Sequence, residues 1–273
     1  MRKKPLVIAI SAVLALLLVC TLIYLFAFKT LTIVSDNAFS VVLPRFSMAT
    51  KGIRIRVETL ENDAFDSTEA FVSRLEKIKG KWVLLSPLSS SFADSNRINV
   101  SDLLPNSTVI ALYNEKASSL FDCTLVSDEK SGWIKAAKAL SSEFEKTSSN
   151  VALIYEKDTV PYVQDIKDCF SESRLSVFED DGSSKLFFNE TQKNADELSI
   201  VVAMCPYDSR LSEFFKTPGT LSWVVDYRFE KAVSPKQLYG IVVPAFARSL
   251  KAVLDTEKGS SAVATLEYDY EKL

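Results

Sequence analysis

The side chains of this chain that could do chemistry are polar residues that directly follow short apolar segments. Each segment is rich in Val, Ile and Leu, a pattern that predicts a buried β-strand. In an open parallel sheet a ligand lies beyond the carboxyl ends of the strands, so these residues are candidate binding groups. Turn and helix-cap roles explain most of the same residues. The residues are Asp36, Asn37, Ser86, Asn114, Glu115, Asp128, Glu156, Asp208 and Asp226.

The composition excludes several kinds of catalytic and metal site. The chain of 273 residues contains no His, which rules out Ser-His-Asp and Cys-His catalysis and His-ligated zinc. Its seven glycines are scattered and form no phosphate-binding loop. The acidic pair Asp180-Asp181 precedes Gly182 and is typical of a solvated turn, not of an acid and a base. We therefore expect no enzyme activity, no cofactor and no metal.

Three of the four cysteines, Cys123, Cys169 and Cys205, follow the first 29 residues. They include no Cys-x-x-Cys pair, and an odd number allows at most one disulfide among them. Burial as three small apolar side chains is at least as good an interpretation. The sequence leaves this choice open.

The segment from Leu6 to Phe28 is uncharged over twenty-three residues and follows three basic residues at positions 2–4. As a helix it would be roughly 34 Å long, enough to cross the ~30 Å hydrocarbon core of a membrane. A cleaved signal peptide has a shorter apolar run and a small-residue cleavage site. A lipoprotein would be processed at Cys20, which leaves the apolar residues that follow it without a use. We predict an uncleaved single-pass anchor at residues 1–29, with everything after it outside the cytoplasm.

Beyond the predicted anchor the chain is acidic. Three of the 32 basic residues lie at positions 2–4, so 29 basic residues oppose 35 acidic ones and the net charge is −6. An acidic domain without a Lys/Arg stripe binds nucleic acid poorly, and we exclude that class of function. The same net charge predicts weak attraction to an anionic membrane surface.

The elements that would position these residues alternate between strands and helices. Apolar segments predict strands at 31–34, 53–57, 82–85, 109–113, 123–126, 151–155, 175–178, 199–204, 223–225 and 239–243. Periodicity and capping residues predict helices at 39–48, after Asp66 or Ser67, after Asp128, from Pro161, near 211–215 and from Pro244 to Leu254. Residues 53–57 alternate in the manner of an edge strand. The pattern predicts an α/β fold of parallel sheets covered by helices.

The order of these elements, with Asp226 and then 239–244 leading into a final helix, resembles the type I periplasmic binding proteins. That family includes lactose-repressor-like sensors and the ribose- and galactose-binding proteins. The resemblance covers about residues 30–273 and is best at 126–140, 151–170 and 223–254. It implies two lobes joined by three crossovers, with a ligand clamped between them. Lobe 1 would be about 30–127 and 238–258, and lobe 2 about 128–237 and 259–273.

The resemblance also implies roles for particular residues. Asp226 matches an acidic residue that accepts hydrogen bonds from sugar ligands, Asp208 lies near a second acidic position, and Asp128 matches one at a crossover. The family commonly has an Arg on the helix after the strand that 151–155 matches, whereas this chain has only Lys157 and Lys167 there. Phe39, Tyr113, Tyr207 and Tyr227 are candidate aromatic platforms, although packing roles are commoner. The full candidate set is Asp36, Asn37, Phe39, Ser86, Asn114, Asp128, Tyr207, Asp208, Asp226 and Tyr227.

Two functions follow as expectations. The first is a membrane-anchored extracytoplasmic protein that binds a small polar solute, of the sugar or nucleoside class, for uptake or sensing. Its partner would be a membrane permease, as in ABC transport, or a sensor protein. The alternative is a degenerate binding-protein fold that acts as an envelope interaction or structural module without a ligand. The missing Arg, the few loop glycines and the permanent anchor favour the alternative, whereas the row of polar strand ends favours solute binding.

Overall fold

The described part of the chain forms two compact units. The computed structural model describes residues 13, 17, 29–36, 39–43, 53–113, 118–144, 150–156, 160–171, 175–180, 200–204, 211, 215–216, 221–255 and 257–273. Unit 1 consists of Met1–Val126 and Leu250–Ala264, and unit 2 of Ser127–Ser249 and Thr265–Leu273. The chain therefore changes unit three times.

Unit 1 is built on a parallel sheet. Its strands are β1 (Lys29–Ser35), β2 (Ile53–Thr59), β3 (Trp82–Leu85), β4 (Thr108–Tyr113) and β5 (Cys123–Asp128). Their order is β2-β1-β3-β4-β5. Helices α1 (Thr68–Leu75), α2 (Pro87–Ser95) and α3 (Val100–Leu103), with 3-10 turns at Phe39–Val42 and Asn62–Phe65, lie between the strands in sequence.

The helices of unit 1 begin at side-chain caps and bury one face. The Ser67 hydroxyl accepts the N–H of Ala70 at 3.1 Å and starts α1. Phe71 and Leu75, one turn apart on α1, are completely buried. The Phe71 ring lies 4.9 Å from that of Phe92 on α2, measured between centroids. These contacts join both helices to the core under the sheet.

Unit 2 has a second sheet of strands β6 (Val151–Glu156), β7 (Leu175–Asp180), β8 (Ile200–Met204), β9 (Ser222–Asp226), β10 (Leu238–Pro244) and β11 (Ala262–Lys272). The order is β11-β10-β9-β8-β6-β7. All pairs are parallel except β10 with β11, which are antiparallel with Gly240 opposite Lys272. Helices α4 (Glu129–Phe144) and α5 (Val163–Lys167) and a 3-10 turn at Tyr227–Phe229 complete the described elements, and α6 (Phe246–Leu254) crosses from unit 2 to unit 1.

The structure confirms the predicted α/β class, and each predicted strand overlaps an observed one. Residues 53–59 form the edge strand β2, as the alternation predicted. Two short helices, α2 and α3, and the antiparallel strand β11 were not predicted. The prediction of parallel sheets therefore holds for the other described strand pairs and fails only where β10 pairs with β11. Of the predicted helix at 39–48, residues 39–42 form a 3-10 turn and residues 44–48 lie outside the described residues.

No helix in the described part of the chain is long and apolar enough to cross a membrane. The segment from Leu6 to Phe28 lies outside the described residues except for Val13 and Leu17. The uncleaved anchor therefore stays a prediction, and lipoprotein processing at Cys20 stays its alternative. Cys123 and Cys169 are not disulfide-bonded, and Cys205 is outside the described residues.

Candidate functional site

Six of the ten candidate residues fall within the described part of the chain. Asp36, Phe39 and Ser86 lie in unit 1, and Asp128, Asp226 and Tyr227 lie in unit 2. Each unit therefore contains one group of three candidates. The remaining candidates, which lie outside the described residues, are Asn37, Asn114, Tyr207 and Asp208.

The group in unit 1 sits at the carboxyl ends of the neighbouring strands β1 and β3. The Ser86 hydroxyl donates to Asp36 Oδ2 at 2.5 Å, and the backbone N–H of Phe39 donates to Asp36 Oδ1 at 2.9 Å. Ser86 also accepts the N–H of Ser89 at 3.4 Å and caps α2. Both Asp36 oxygens therefore have partners within the chain. The hydrogen bond between Ser86 and Asp36 connects the ends of β1 and β3, which is a structural role.

The group in unit 2 is centred on Asp226, the last residue of β9. Its Oδ1 accepts the backbone N–H of Arg228 at 2.9 Å and Arg228 Nε at 2.6 Å. Asp226 is 2% exposed and the Arg228 side chain is 29% exposed. The two residues are close because Asp226 caps the 3-10 turn that follows β9, which folds the guanidinium back onto the carboxylate. The sequence Asp-Tyr-Arg thus forms a largely buried ion pair.

Glu129, the first residue of α4, is a second carboxylate beside Arg228. Its Oε1 lies 3.7 Å from Arg228 Nη2. Burial, and then the charge of Asp226, raise the pKa of Glu129, whereas Arg228 lowers it. Burial by itself would lower the pKa of Arg228, but Asp226 and Glu129 outweigh it, so the guanidinium stays charged. Asp128 precedes Glu129 and accepts the N–H of Ser131 at 3.3 Å, which caps α4.

Tyrosines surround these charges. Burial and the carboxylates Glu129 and Asp226 raise the pKa of Tyr162, which lies just before α5. Burial, followed by neighbouring Tyr227 and the same carboxylates, raises the pKa of Tyr268 well above its usual value. The Tyr268 hydroxyl lies 3.1 Å from that of Ser127. The phenols are therefore neutral hydrogen-bond donors at physiological pH.

We call Glu129, Tyr162, Asp226, Arg228 and Tyr268 the Asp226 cluster. It offers carboxylate acceptors, the N–H groups of Arg228 that are not bonded to Asp226, and phenolic hydroxyls, and these groups match the alternating donors and acceptors of a hydroxylated solute. The described residues contain no grouping of Cys, Asp and Glu side chains able to hold a metal ion.

Only one member of the Asp226 cluster was predicted as a binding residue. Arg228 follows Asp226 by two positions and Glu129 follows Asp128 by one. Both residues could have been predicted, because each lies beside a candidate in the sequence. Tyr162 lies in the turn before α5 and Tyr268 in the unpredicted strand β11, and no neighbouring candidate pointed to either residue. The resemblance implies an Arg between Val151 and Phe170, which this chain lacks, whereas the guanidinium of this cluster follows β9.

No family model matches the chain, and no curated protein matches it. Several solved structures are similar in fold. An ABC transporter solute-binding protein from Bradyrhizobium sp. BTAi1, solved with bound bis-tris, is 11% identical, with a TM-score of 0.55 over 89% of this chain and 82% of that one. A LacI transcriptional regulator from a Rhodococcus species is 12% identical, with a TM-score of 0.52 over 89% and 97%. A periplasmic ribose ABC transporter protein from Conexibacter woesei is 11% identical, with a TM-score of 0.50 over 90% and 92%.

These similarities identify the fold. The chain has the type I periplasmic binding protein-like fold, which the order of its elements predicted.

Proposed function

We propose that this protein is a membrane-anchored extracytoplasmic binding protein for a small polar solute of the sugar or nucleoside class. The observation that carries the proposal is the largely buried ion pair of Asp226 and Arg228 at the carboxyl end of β9, with Glu129 beside it. In this fold the carboxyl ends of the strands are where ligands lie. The names of the similar structures, a solute-binding protein and a ribose transporter protein, support the same class of ligand.

The energetics of the ion pair favour a binding role over a structural one. Removing charges from water costs several kcal/mol per ion, and an apolar pair of similar volume is often at least as stable. Glu129 adds a carboxylate whose ionisation is disfavoured by burial. A fold has little need of such a group for stability. A polar ligand that hydrogen-bonds to it would gain about 1.5–3 kcal/mol per charged contact, so two or three contacts support micromolar affinity.

The proposal includes the anchor and the mode of binding. Leu6 to Phe28 would hold the protein in the cytoplasmic membrane, with the folded part in the periplasm or outside the cell. The ligand would select a closed form of the two lobes by hinge motion. A membrane permease or a sensor protein would then read the closed form.

A thermal-shift screen against sugars, nucleosides, amino acids and polyamines tests the proposal. A ligand at a hundred times its dissociation constant stabilises a protein by about 2.7 kcal/mol, which raises the melting temperature of a domain of this size by roughly 5–10 °C. We expect a hit that Asp226→Asn abolishes. Asp269→Asn is the matched control, since Asp269 also pairs with an Arg in unit 2 but at the surface.

The outcomes separate the two functions. A shift that both variants retain would show that a ligand binds elsewhere than the Asp226 cluster. No shift across the panel, in a protein that melts cooperatively, would support the alternative of an interaction module without a ligand.

A further inference from the structure

A basic cavity lies at the amino ends of the first three strands of unit 1, at the opposite end of the sheet from Asp36. It has a volume of about 590 Å³. Four of its seven lining residues are Lys or Arg, and none is acidic. They are Thr30, Arg54, Ile55, Arg56, Lys79, Gly80 and Lys81. We call this cavity the basic pocket.

The strands hold the basic pocket in a defined geometry. Thr30 of β1 pairs with Arg54 of β2, and the N–H of Lys81 donates to the Thr30 carbonyl at 3.2 Å, so the three residues form one row across the sheet. Side chains in one row of a parallel sheet share a face, and Arg56, two residues along β2, points the same way.

Side-chain hydrogen bonds hold the loop before β3 in place. The Thr32 hydroxyl donates to the Lys79 carbonyl at 2.7 Å, and the Ser107 hydroxyl donates to the Gly80 carbonyl at 2.7 Å. A Cβ on Gly80 would lie 2.7 Å from Thr32 Oγ1, so a larger residue does not fit without a shift. Lys79 and Lys81 are therefore held on either side of an anchored residue.

The local charge of this surface is opposite to that of the chain as a whole. Arg54, Arg56, Lys79 and Lys81 are all exposed. Arg56 pairs with Glu58 at 2.6 Å, which offsets one positive charge. Electrostatic screening acts over about 8 Å at physiological salt, so a partner at the pocket experiences these charges and not the net value. The weak attraction to an anionic membrane, which the net charge predicted, therefore does not apply to this surface.

The basic pocket follows the apolar segment closely in sequence, and this spacing indicates which anion the pocket binds. The apolar segment ends at Phe28, and Thr30 lines the pocket two residues later. Two residues span at most about 7 Å. The headgroup layer on each side of a bilayer is itself about 5–8 Å thick. If the segment spans the membrane, Thr30 lies within or just beyond the headgroups.

We infer that the basic pocket binds the anionic headgroups of phospholipids around the anchor and so docks unit 1 on the membrane. This inference rests on the anchor of the proposed function, but not on solute binding. The cations would contact lipid phosphates as charge-assisted hydrogen-bond donors. Anchoring by one helix fixes only the distance of the domain from the membrane, and the pocket would also fix its orientation.

Amide hydrogen exchange on the full-length protein in nanodiscs tests the inference. One set of discs contains phosphatidylcholine alone, and the other equal parts of phosphatidylcholine and phosphatidylglycerol. We expect slower exchange at residues 53–57 and 77–82 in the anionic discs, and no difference between the discs at high salt. Each Lys or Arg near an anionic surface contributes roughly fivefold to binding, so Arg54→Gln with Lys79→Gln should weaken docking roughly 25-fold.

A matched control has the same change in net charge at another place. Arg74 and Lys251 are exposed residues of unit 1 that do not line the pocket. Arg74→Gln with Lys251→Gln should leave the protection unchanged. Equal loss in both double variants would overturn the inference, because it would show a general charge effect.

Two further experiments test whether the pocket binds lipid headgroups or soluble anions, and whether the chain is anchored in the membrane. Inorganic phosphate added to phosphatidylcholine discs should not protect the same residues. If it does, the pocket binds soluble anions and the membrane inference is wrong. Equal exchange in the two kinds of disc also overturns it. Alkaline extraction of native membranes tests the anchor separately, since release of the chain would overturn the anchor and the docking together, whereas retention without protection overturns the docking alone.

Discussion

Arg228→Met removes the only cation that pairs with the buried carboxylate of Asp226 among the described residues, and it keeps a side chain of similar length. Breaking a fully buried ion pair costs about 3–5 kcal/mol, because one charge is left without a partner. Asp226 is 2% exposed, but the Arg228 side chain is 29% exposed, so water can replace part of the lost interaction. We therefore expect the free energy of unfolding to fall by about 2–3 kcal/mol at neutral pH, which is at or below the lower limit for a fully buried pair.

Urea unfolding measures this loss. The midpoint should fall with the slope unchanged, which indicates a change in stability and not in the unfolded state. Arg248→Met is the control, since Arg248 also bonds two carboxylates, Glu267 and Asp269, but its side chain is 60% exposed. Exposed pairs of this kind contribute little, so the control should unfold near the wild-type midpoint.

The pH dependence gives a second, independent check. Arg228 lowers the pKa of Glu129, which burial and Asp226 already raise above 4.5, so its removal moves that pKa further up. A carboxyl group with a raised pKa in the folded state favours folding when protonated, and that contribution is lost as pH rises through the folded pKa. The deficit of Arg228→Met should therefore shrink as pH falls from 7 towards 4.5. Equal losses for the two arginine variants, or a deficit that grows on acidification, would refute this account of the cluster.

Three further predictions concern unit 2 and the contact of residues 257–260 with the rest of unit 1. Tyr155 donates to Glu179 at 2.7 Å, and this hydrogen bond, then burial, raise the pKa of Tyr155 to about 12. Tyr155→Phe should cost about 1 kcal/mol below pH 10 and should make the loss of stability between pH 10 and 12 smaller than in the wild type, as urea unfolding at each pH would show. Gly132→Ala places a Cβ 2.6 Å from Tyr268 Cβ, so overpacking should outweigh the gain in helix propensity and cost about 1–3 kcal/mol in a thermal melt. The ammonium of Lys258 donates to three backbone carbonyls of unit 1 at 2.9–3.1 Å. Lys258→Met should lower the free energy of unfolding by about 1.5–3 kcal/mol and speed amide exchange at residues 257–262. Unchanged exchange there would show that Lys258 does not hold this segment in place.

The sequence predicted the strands whose two faces are both covered. Strands β3, β6 and β8 are buried along nearly their whole length, and each appears as a continuous apolar run. Strand β11 was missed although its signal was present. Leu266, Tyr268 and Tyr270 alternate with acidic residues from Glu267 onward, which is the period of an antiparallel strand covered on one face. Strand β11 contains no continuous apolar run, and for that reason it was not predicted.

The candidate site was predictable only where it depends on local chain geometry. Asp226 and Ser86 were found because each directly follows an apolar strand, and both are buried. The contact between Ser86 and Asp36 required the knowledge that β3 lies beside β1, and the pattern of one sequence does not give strand order. Tyr162 reaches the Asp226 cluster from a different element, and its raised pKa comes from charges distant in sequence. Such features arise from tertiary packing.

The distribution of charge connects the two proposals. The net charge of −6 describes neither the basic pocket nor the Asp226 cluster. The basic pocket gathers cations at the amino ends of β1 to β3, which suits anionic partners. The Asp226 cluster holds the carboxylates of Asp226 and Glu129 against one guanidinium, and Arg228 is already bonded to Asp226. An anionic solute there would meet like charges, which disfavours its binding. Because the pocket attracts anions and the cluster repels them, a headgroup should not compete with the solute, and the solute that suits the cluster is uncharged or cationic.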